Sequence, residues 1–448
     1  MTDSLEYAVG VLVLVVVLAA SIALHEVGHL VPAKRFGVKV TQYMIGFGPT
    51  LWSTRRGETE YGVKALPLGG YIRMIGMFPP RSGEDATHLR ESSTGAFQTM
   101  AADARAVSAS EISEEDAERV FYKLSVPKKV VVMLGGPTMN LLIAVVLLGI
   151  LLVGFGDPAK RATSTTLDVV NECILPADTT RTTCEAGDPA TPAAQAGVRP
   201  GDEVVSFAGQ PVSRWEDVRV AIRERTGQPT QLVVRRDGED LTLSITPVAN
   251  QVAELDADGE VVLDDAGQVR TVSAGFIGVT PLLRLEPQPV TAVPGFVAGT
   301  VASTAGIVIR LPQRMVDVAQ AAFGAEERDP NGPIGLVGAG RLAGEISSFD
   351  EIQQRDKVAG LLGLLGSLNI ALFVFNLVPL LPLDGGHVAG ALWEGLRRRI
   401  AALRGRKDPG PVDVAKALPV AYAVSLLLVA MSVMLLYADI VRPISLRG

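Results

Sequence analysis

The sequence predicts a polytopic α-helical membrane protein: four transmembrane helices, a re-entrant β-hairpin and an extracytoplasmic α+β domain. Three observations carry that prediction: long uncharged apolar runs, positive charge clustered in two of the connections between them, and one long polar stretch separating the second run from the third. Mean hydropathy is +0.30 and 48% of the residues are hydrophobic, which is high for a soluble chain. A chain of 448 residues has room for about two or three domains. The net charge of −7 supplies no basic face and argues against nucleic acid as a partner.

The runs are Tyr7 to Ala33, uncharged apart from one motif, Val130 to Gly156, Ala359 to Leu383 and Ala417 to Tyr437, each approaching or exceeding the ~20 residues that cross a bilayer. The first competes with a secretory signal peptide, since Ala19-Ala20-Ser21 resembles a cleavage site, but Asp3 and Glu6 stand where such a leader carries positive charge. Lys34, Arg35 and Lys39 follow the first run, Lys123, Lys128 and Lys129 precede the second, and Arg397, Arg398, Arg399, Arg404, Arg406 and Lys407 link the third to the fourth. By the positive-inside rule these connections are cytoplasmic, which places both termini and the long polar segment outside. The division expected is a first helix at 1–34, a cytoplasmic segment with a membrane-associated hairpin at 35–129 and a second helix at 130–156. An extracytoplasmic domain at 157–290, amphipathic interfacial helices at 291–358 and the third and fourth helices at 359–448 complete it.

The first run contains His25-Glu26-Val27-Gly28-His29. On a helix the two histidines lie one turn apart on one face, so both imidazoles reach one cation while Glu26 stands beside them to move a proton. Zinc is the natural occupant. Ionisable groups at membrane depth are costly unless paired or metal-bound, so their presence marks function. A catalytic zinc wants three protein ligands and an open position. The third run ends Asn376-Leu377-Val378-Pro379-Leu380-Leu381-Pro382-Leu383-Asp384-Gly385-Gly386-His387. Its prolines break the helix and deliver Asp384, the expected third ligand, with His387 as the alternative. Gly135, Gly136 and Asn140 open the second run; the glycines suit close helix approach, and Asn140 needs a partner near the site.

Gly46 to Pro49 and Gly62 to Gly76, including Gly69 and Gly70, read as short strands with glycine turns. They are too apolar for an ordinary loop and form the expected hairpin, with an edge that could pair with an extended substrate. Glu84 to Glu118 reads as a flexible loop. Phe296 to Val318 reads as one interfacial helix, with a fifth span as the other reading. Cys173 and Cys184 form either a local disulfide or two free thiols.

Ala190 to Val212 gives a short helix, a Gly/Pro turn, a strand and a second Gly turn, and a helix near Trp215 to Arg225 with strands at Gln231 to Arg235 and Leu241 to Thr246 follows. The stretch resembles a bacterial PDZ domain, a module that binds peptide ends by strand addition, although the insertion from Cys173 to Cys184 interrupts the part expected to hold a peptide carboxylate. With HEVGH in the first run and Asn376-x-x-Pro379-x-x-Pro382-Leu383-Asp384-Gly385-Gly386 in the third, nearly the whole chain resembles a bacterial site-2 protease of the RseP type. Its single PDZ-like domain is most similar to actinobacterial members. That resemblance implies an intramembrane zinc endopeptidase with His25, His29 and Asp384 as ligands, Glu26 as general acid/base, and Asn376 near the bound substrate strand. It also implies single-span membrane proteins, often anti-sigma factors, as substrates in the lipid bilayer.

Overall fold

The computed structural model describes residues 2–79, 105–106, 108–110, 112–175, 183–253, 262, 270–324, 328–329, 332–349 and 353–445. Most of the loop expected from Glu84, the middle of the Cys173–Cys184 insertion and most of the stretch 254–269 lie outside the described residues. The chain forms two compact units, Met1–Phe155 with Gln288–Gly448, and Gly156–Pro287.

In the first unit α1 spans Thr2–Arg35 and is apolar on all sides, as a helix without a water-facing stripe is. Lys34 and Arg35 sit in its last turn, and Gly37 at φ +83° turns the chain out of the helix. β1 (Val40–Arg56) and β2 (Thr59–Met74) follow, joined through Gly57. The hairpin is longer than the sequence suggested and is folded upon itself. The first part of β1 pairs on one side with Gly70 to Met74 and on the other with Glu60 to Val63, while the rest of β1 pairs with Thr59 to Lys64. Two long strands therefore make a sheet of four segments, bent at Gly46, Gly48 and Gly69, whose positive φ values a side chain would strain. Its base is tied to the helices: Tyr43 Oη donates to Ala23 O at 2.9 Å, and Val38, Val40, Tyr43 and Met74 pack with Leu30, Ala33, Val132 and Met133.

α2 (Val126–Ile150) packs along α1. After the second unit come α5 (Val293–Ile309), α6 (Leu311–Phe323), α7 (Leu336–Ser348), α8 (Gln354–Asn376), α9 (Asp384–Leu403) and α10 (Leu418–Val441). Among the described residues five helices are long and apolar enough to cross a membrane, α1, α2, α5, α8 and α10. The single helix expected over Phe296 to Val318 is two, broken at Arg310, because Pro312 lacks the N–H that would continue the hydrogen-bond ladder. The segment carrying α5 to α7 leaves and returns to one end of the bundle. Gln288 N–H donates to Leu152 O at 2.9 Å where the segment starts, and Arg355 donates to Gly154 O at 3.1 Å where it ends. Lys357 bonds Glu6 at 2.9 Å at that same end. Asp439 of α10 accepts from the Gly335 and Gly338 N–H groups at 2.9 and 2.7 Å and pairs with Arg328 at 2.8 Å, capping α7.

The second unit is α+β. Its elements are β3 (Asp157–Val170), α3 (Pro192–Ala196), β4 (Glu203–Phe207), β5 (Gln210–Pro211), α4 (Trp215–Glu224), β6 (Thr230–Arg236), β7 (Glu239–Ile245), β8 (Val248–Ala253), β9 (Thr271–Phe276) and β10 (Val279–Glu286). The main sheet runs β10-β3-β4-β6-β7 with β5 beside β4, and β8 pairs with β9. Trp215, Val218 and Ile222, on one stripe of α4, close a core with Leu167, Phe207, Leu232 and Val234. Thr191 caps α3 by accepting from Ala194 N–H. Cys173 and Cys184 are joined in a disulfide, and Cys173 bridges to Ala190, so the insertion between β3 and α3 is pinched at its base.

Asp202 is a buried polar anchor of this unit. It accepts from Arg236 Nε and Nη2 at 2.8 and 2.7 Å and from the Arg199 N–H at 2.9 Å. Burial opposes its charge, but the Arg236 and Arg199 hydrogen bonds outweigh burial and hold the carboxyl below its ordinary range. Its stabilisation is present above the unfolded value of about 3.9 and is lost as falling pH carries the carboxyl through its lower folded value. Asp202→Asn should therefore lower protection of the β4 and β6 amides against hydrogen exchange in the intact protein by about 2 kcal/mol at neutral pH, and the difference should vanish in strong acid.

Candidate metal centre

The centre is built where α1 crosses α2. Backbone meets backbone there: a Cβ on Gly135 would lie 1.9 Å from Gly28 O, and one on Gly28 would lie 2.2 Å from Gly135 O. Only glycine at both positions allows that approach. It brings the Val132 carbonyl to 2.8 Å from His29 Nδ1 and the Asn140 amide to 3.1 Å from His25 Nδ1. Both imidazoles thus turn Nδ1 toward α2 and Nε2 toward each other, with 3.2 Å between the Nε2 atoms. Asp384, the first residue of α9, sets Oδ2 at 3.3 Å from His25 Nε2 and 3.4 Å from His29 Nε2.

This donor set fits a cation. His29 Nδ1 donates its proton to a carbonyl, so Nε2 carries a lone pair. Asn140 Oδ1 is buried with no partner. Which end of the amide faces the ring is an assignment, and turning Oδ1 toward Nδ1 satisfies that oxygen and leaves His25 Nε2 with a lone pair as well. Asp384 Oδ2 is also buried without a hydrogen bond. Two lone pairs and a carboxylate oxygen facing one another repel unless a positive ion lies between them. A tetrahedral zinc with bonds of about 2.0–2.2 Å holds its ligand atoms roughly 3.3 Å apart, which is the spacing found. Gly136 forms another wall, since a Cβ there would come within 2.2 Å of His29 Nε2 and 2.6 Å of His25 Nε2.

Among the described residues this trio is the group of three that converges, and His387, one turn along α9, is not part of it. Glu26 is buried beside the histidines, with the Ile72 backbone of β2 near its carboxyl. Gly70 lies against it: a Cβ there would be 3.0 Å from Glu26 Cγ. Gly69, at φ +115°, abuts the Phe47 ring, where a Cβ would meet Cε2 at 2.4 Å. Asn376 is half-buried at the end of α8, with no side-chain hydrogen bond among the described residues; the turn Leu377 to Leu383 separates it from Asp384.

Sequence reasoning missed the support of α9. Lys129 of α2, read as a topological charge, is buried and donates to both carboxylate oxygens of Glu394 at 2.9 and 2.8 Å. Glu394 also accepts from the Val412 N–H at 3.1 Å and pairs with Arg398 at 3.1 Å. The helix that starts with Asp384 is thereby locked to the helix that hydrogen-bonds both histidines. The signal was faint, an acidic residue four before an arginine.

Two imidazoles and a carboxylate on converging helices, with a buried glutamate beside them, are the construction of a metallopeptidase set inside a bundle of membrane-length helices. The chain belongs to Peptidase family M50, whose profile matches residues 13–415. It is 33% identical over 459 residues to the zinc metalloprotease Rip1 of Mycolicibacterium smegmatis, covering 98% of this chain and 99% of that protein. It is also 33% identical over 445 residues to the Rip1 of Mycobacterium tuberculosis (strain H37Rv), with the same coverage. Metalloprotease MmpA of Caulobacter vibrioides is 26% identical over 406 residues, covering 87% of this chain and 89% of that protein.

The two adjacent glycines of α2 should behave differently. Gly136→Ala is expected to lower bound metal by at least about ten-fold in affinity with modest loss of stability. Gly135→Ala should cost about 1–3 kcal/mol or more by forcing α1 and α2 apart. Metal analysis and thermal unfolding of both purified variants check this.

Proposed function

We propose that the chain is a zinc-dependent intramembrane endopeptidase of the site-2 protease type, cleaving single-span membrane proteins, anti-sigma factors among them, within or beside their transmembrane segment. The observation that carries the reading is the convergence of His25, His29 and Asp384 beside buried Glu26 within a bundle of membrane-length helices. His25, His29 and Asp384 would hold the zinc, which, when bound, would supply a Lewis acid to polarise the scissile carbonyl and acidify water. Glu26 takes the proton of the attacking water and delivers it to the leaving amine.

A transmembrane helix hides its carbonyls in its own hydrogen bonds, so the substrate unwinds before attack. The Gly70 to Met74 segment of β2 is an outermost strand of the folded hairpin and faces Glu26 through Ile72. A substrate strand added at that edge lies against the general base, with Gly69 and Gly70 keeping the approach clear and Asn376 bonding its backbone. This makes the hairpin a re-entrant element that binds substrate.

Four helices cross the bilayer in this reading, α1, α2, α8 and α10. Because the segment with α5 leaves and returns to one end of the bundle, α5 adds no net crossing. The lysines and arginines at the other end face the cytoplasm, so both termini and the Gly156–Pro287 unit are extracytoplasmic, where the Cys173–Cys184 disulfide suits an oxidising compartment. That unit, with its edge strand β10 and helix α4, is the PDZ-like domain and acts as a gate against substrates with intact ectodomains.

Two outcomes are expected. Glu26→Gln should keep its zinc and lose at least about 10²-fold in cleavage of a single-span substrate, measured in proteoliposomes. Replacing Gly156–Pro287 by a short linker should admit full-length substrate that the intact protein rejects; continued rejection would sink the gate.

A further inference from the structure

α9 has two unlike faces. Its inner face carries Ala391, Glu394 and Gly395. A Cβ on Gly395 would lie 3.2 Å from Val126 Cγ1, where α2 begins, and one on Gly390 would lie 3.4 Å from Val414 Cγ1, where the helical segment ending in α10 begins. Both are starting points of membrane-length segments, Val126–Phe155 and Val414–Val441. The helix therefore passes across the same end of two such segments, where, by their length, the boundary between hydrocarbon and headgroups would fall.

Its outer face is apolar and, among the described residues, exposed. Leu392 is 57% exposed, Trp393 54%, Leu396 48%, Ile400 38% and Leu403 81%. At about 100° per residue these five fall on one stripe opposite Ala391 and Glu394. Arg399 borders the stripe on one side and Arg397 and Arg404 on the other, with Arg406 and Lys407 exposed in the turn that follows. Neither acid of this helix lies on that face: Asp384 is at the metal centre, and Glu394 is turned inward and already paired with Lys129.

We propose that the outer face of α9 is a membrane-surface anchor seated in anionic phospholipid, its leucines, Ile400 and Trp393 in the acyl boundary and its flanking arginines on lipid phosphates. Charge selects the occupant. A second copy docked on this face would bring Arg397, Arg399 and Arg404 against their own counterparts, whereas an anionic leaflet meets every one of them with opposite charge. Each arginine near such a surface contributes roughly five-fold to its occupancy. The helix that begins with Asp384 is thus held between α2, through Lys129, and the lipid surface.

The test uses intact protein, one copy per nanodisc, and reads Trp393 as the difference between wild type and Trp393→Phe, so it does not depend on cleavage. In discs of phosphatidylglycerol and phosphatidylcholine, lipids brominated near the headgroup should abolish most Trp393 emission, deep bromines should do less, and aqueous iodide should do little. In phosphatidylcholine alone, or with Arg397, Arg399 and Arg404 all changed to glutamine in the anionic discs, the fraction of Trp393 open to iodide should rise several-fold. Free iodide access in anionic discs would overturn the proposal, as would quenching that ignores lipid charge and the arginines. Shielding from both quenchers would also overturn it, because protein would then cover the face.

Discussion

Everything in the helical unit answers to one electrostatic problem, the meeting of two imidazole lone pairs with a carboxylate in an apolar bundle. Without a cation that meeting is repulsive, and Asp384 Oδ2 has no hydrogen bond to soften it. With one, the same atoms would serve as ligands, and their separations of 3.2 to 3.4 Å suit that role. The fold can bear the arrangement because the ring nitrogens facing away are met by Val132 O and Asn140, which fixes both rings and leaves Nε2 free on each.

Close approach of two backbones makes this possible. The Gly28–Gly135 crossing puts α2 near enough to α1 for its own carbonyl to orient a histidine, and Gly136 leaves the space a side chain would fill. Asp384 arrives from far away in sequence, so its helix is fixed separately, by a buried Lys129–Glu394 pair. Breaking one partner of such a pair leaves an uncompensated charge, so the pair resists drift of α9. The placing of the three donor side chains, the helix crossing and the ion pair are parts of one constraint.

Much of this was legible in the sequence. His25, Glu26 and His29 stand at a spacing that helical geometry alone interprets, and Pro379 and Pro382 announce the turn that delivers Asp384. Trp215, Val218 and Ile222 likewise place α4 by their period. The extent of the hairpin was not legible, because β1 pairs on both sides with two parts of β2, and no local pattern encodes a strand folded back on its neighbour. Arg310 and Pro312 visibly close the uncharged run Val293 to Ile309, but an interfacial helix tolerates an arginine, so one helix was read across them to Val318 where the structure has two. Lys129 read only as a topological charge because its partner lies 265 residues away, beyond any periodicity.

The most direct measurement of the central claim is the zinc X-ray absorption spectrum of the purified protein, which counts ligand types without reference to activity. The account predicts one zinc per chain bound by two imidazoles and otherwise by oxygen, with the carboxylate contribution lost in Asp384→Ala. A third imidazole would put His387 in the place given to Asp384, and zinc bound without imidazole, or not bound at all, would contradict the site itself.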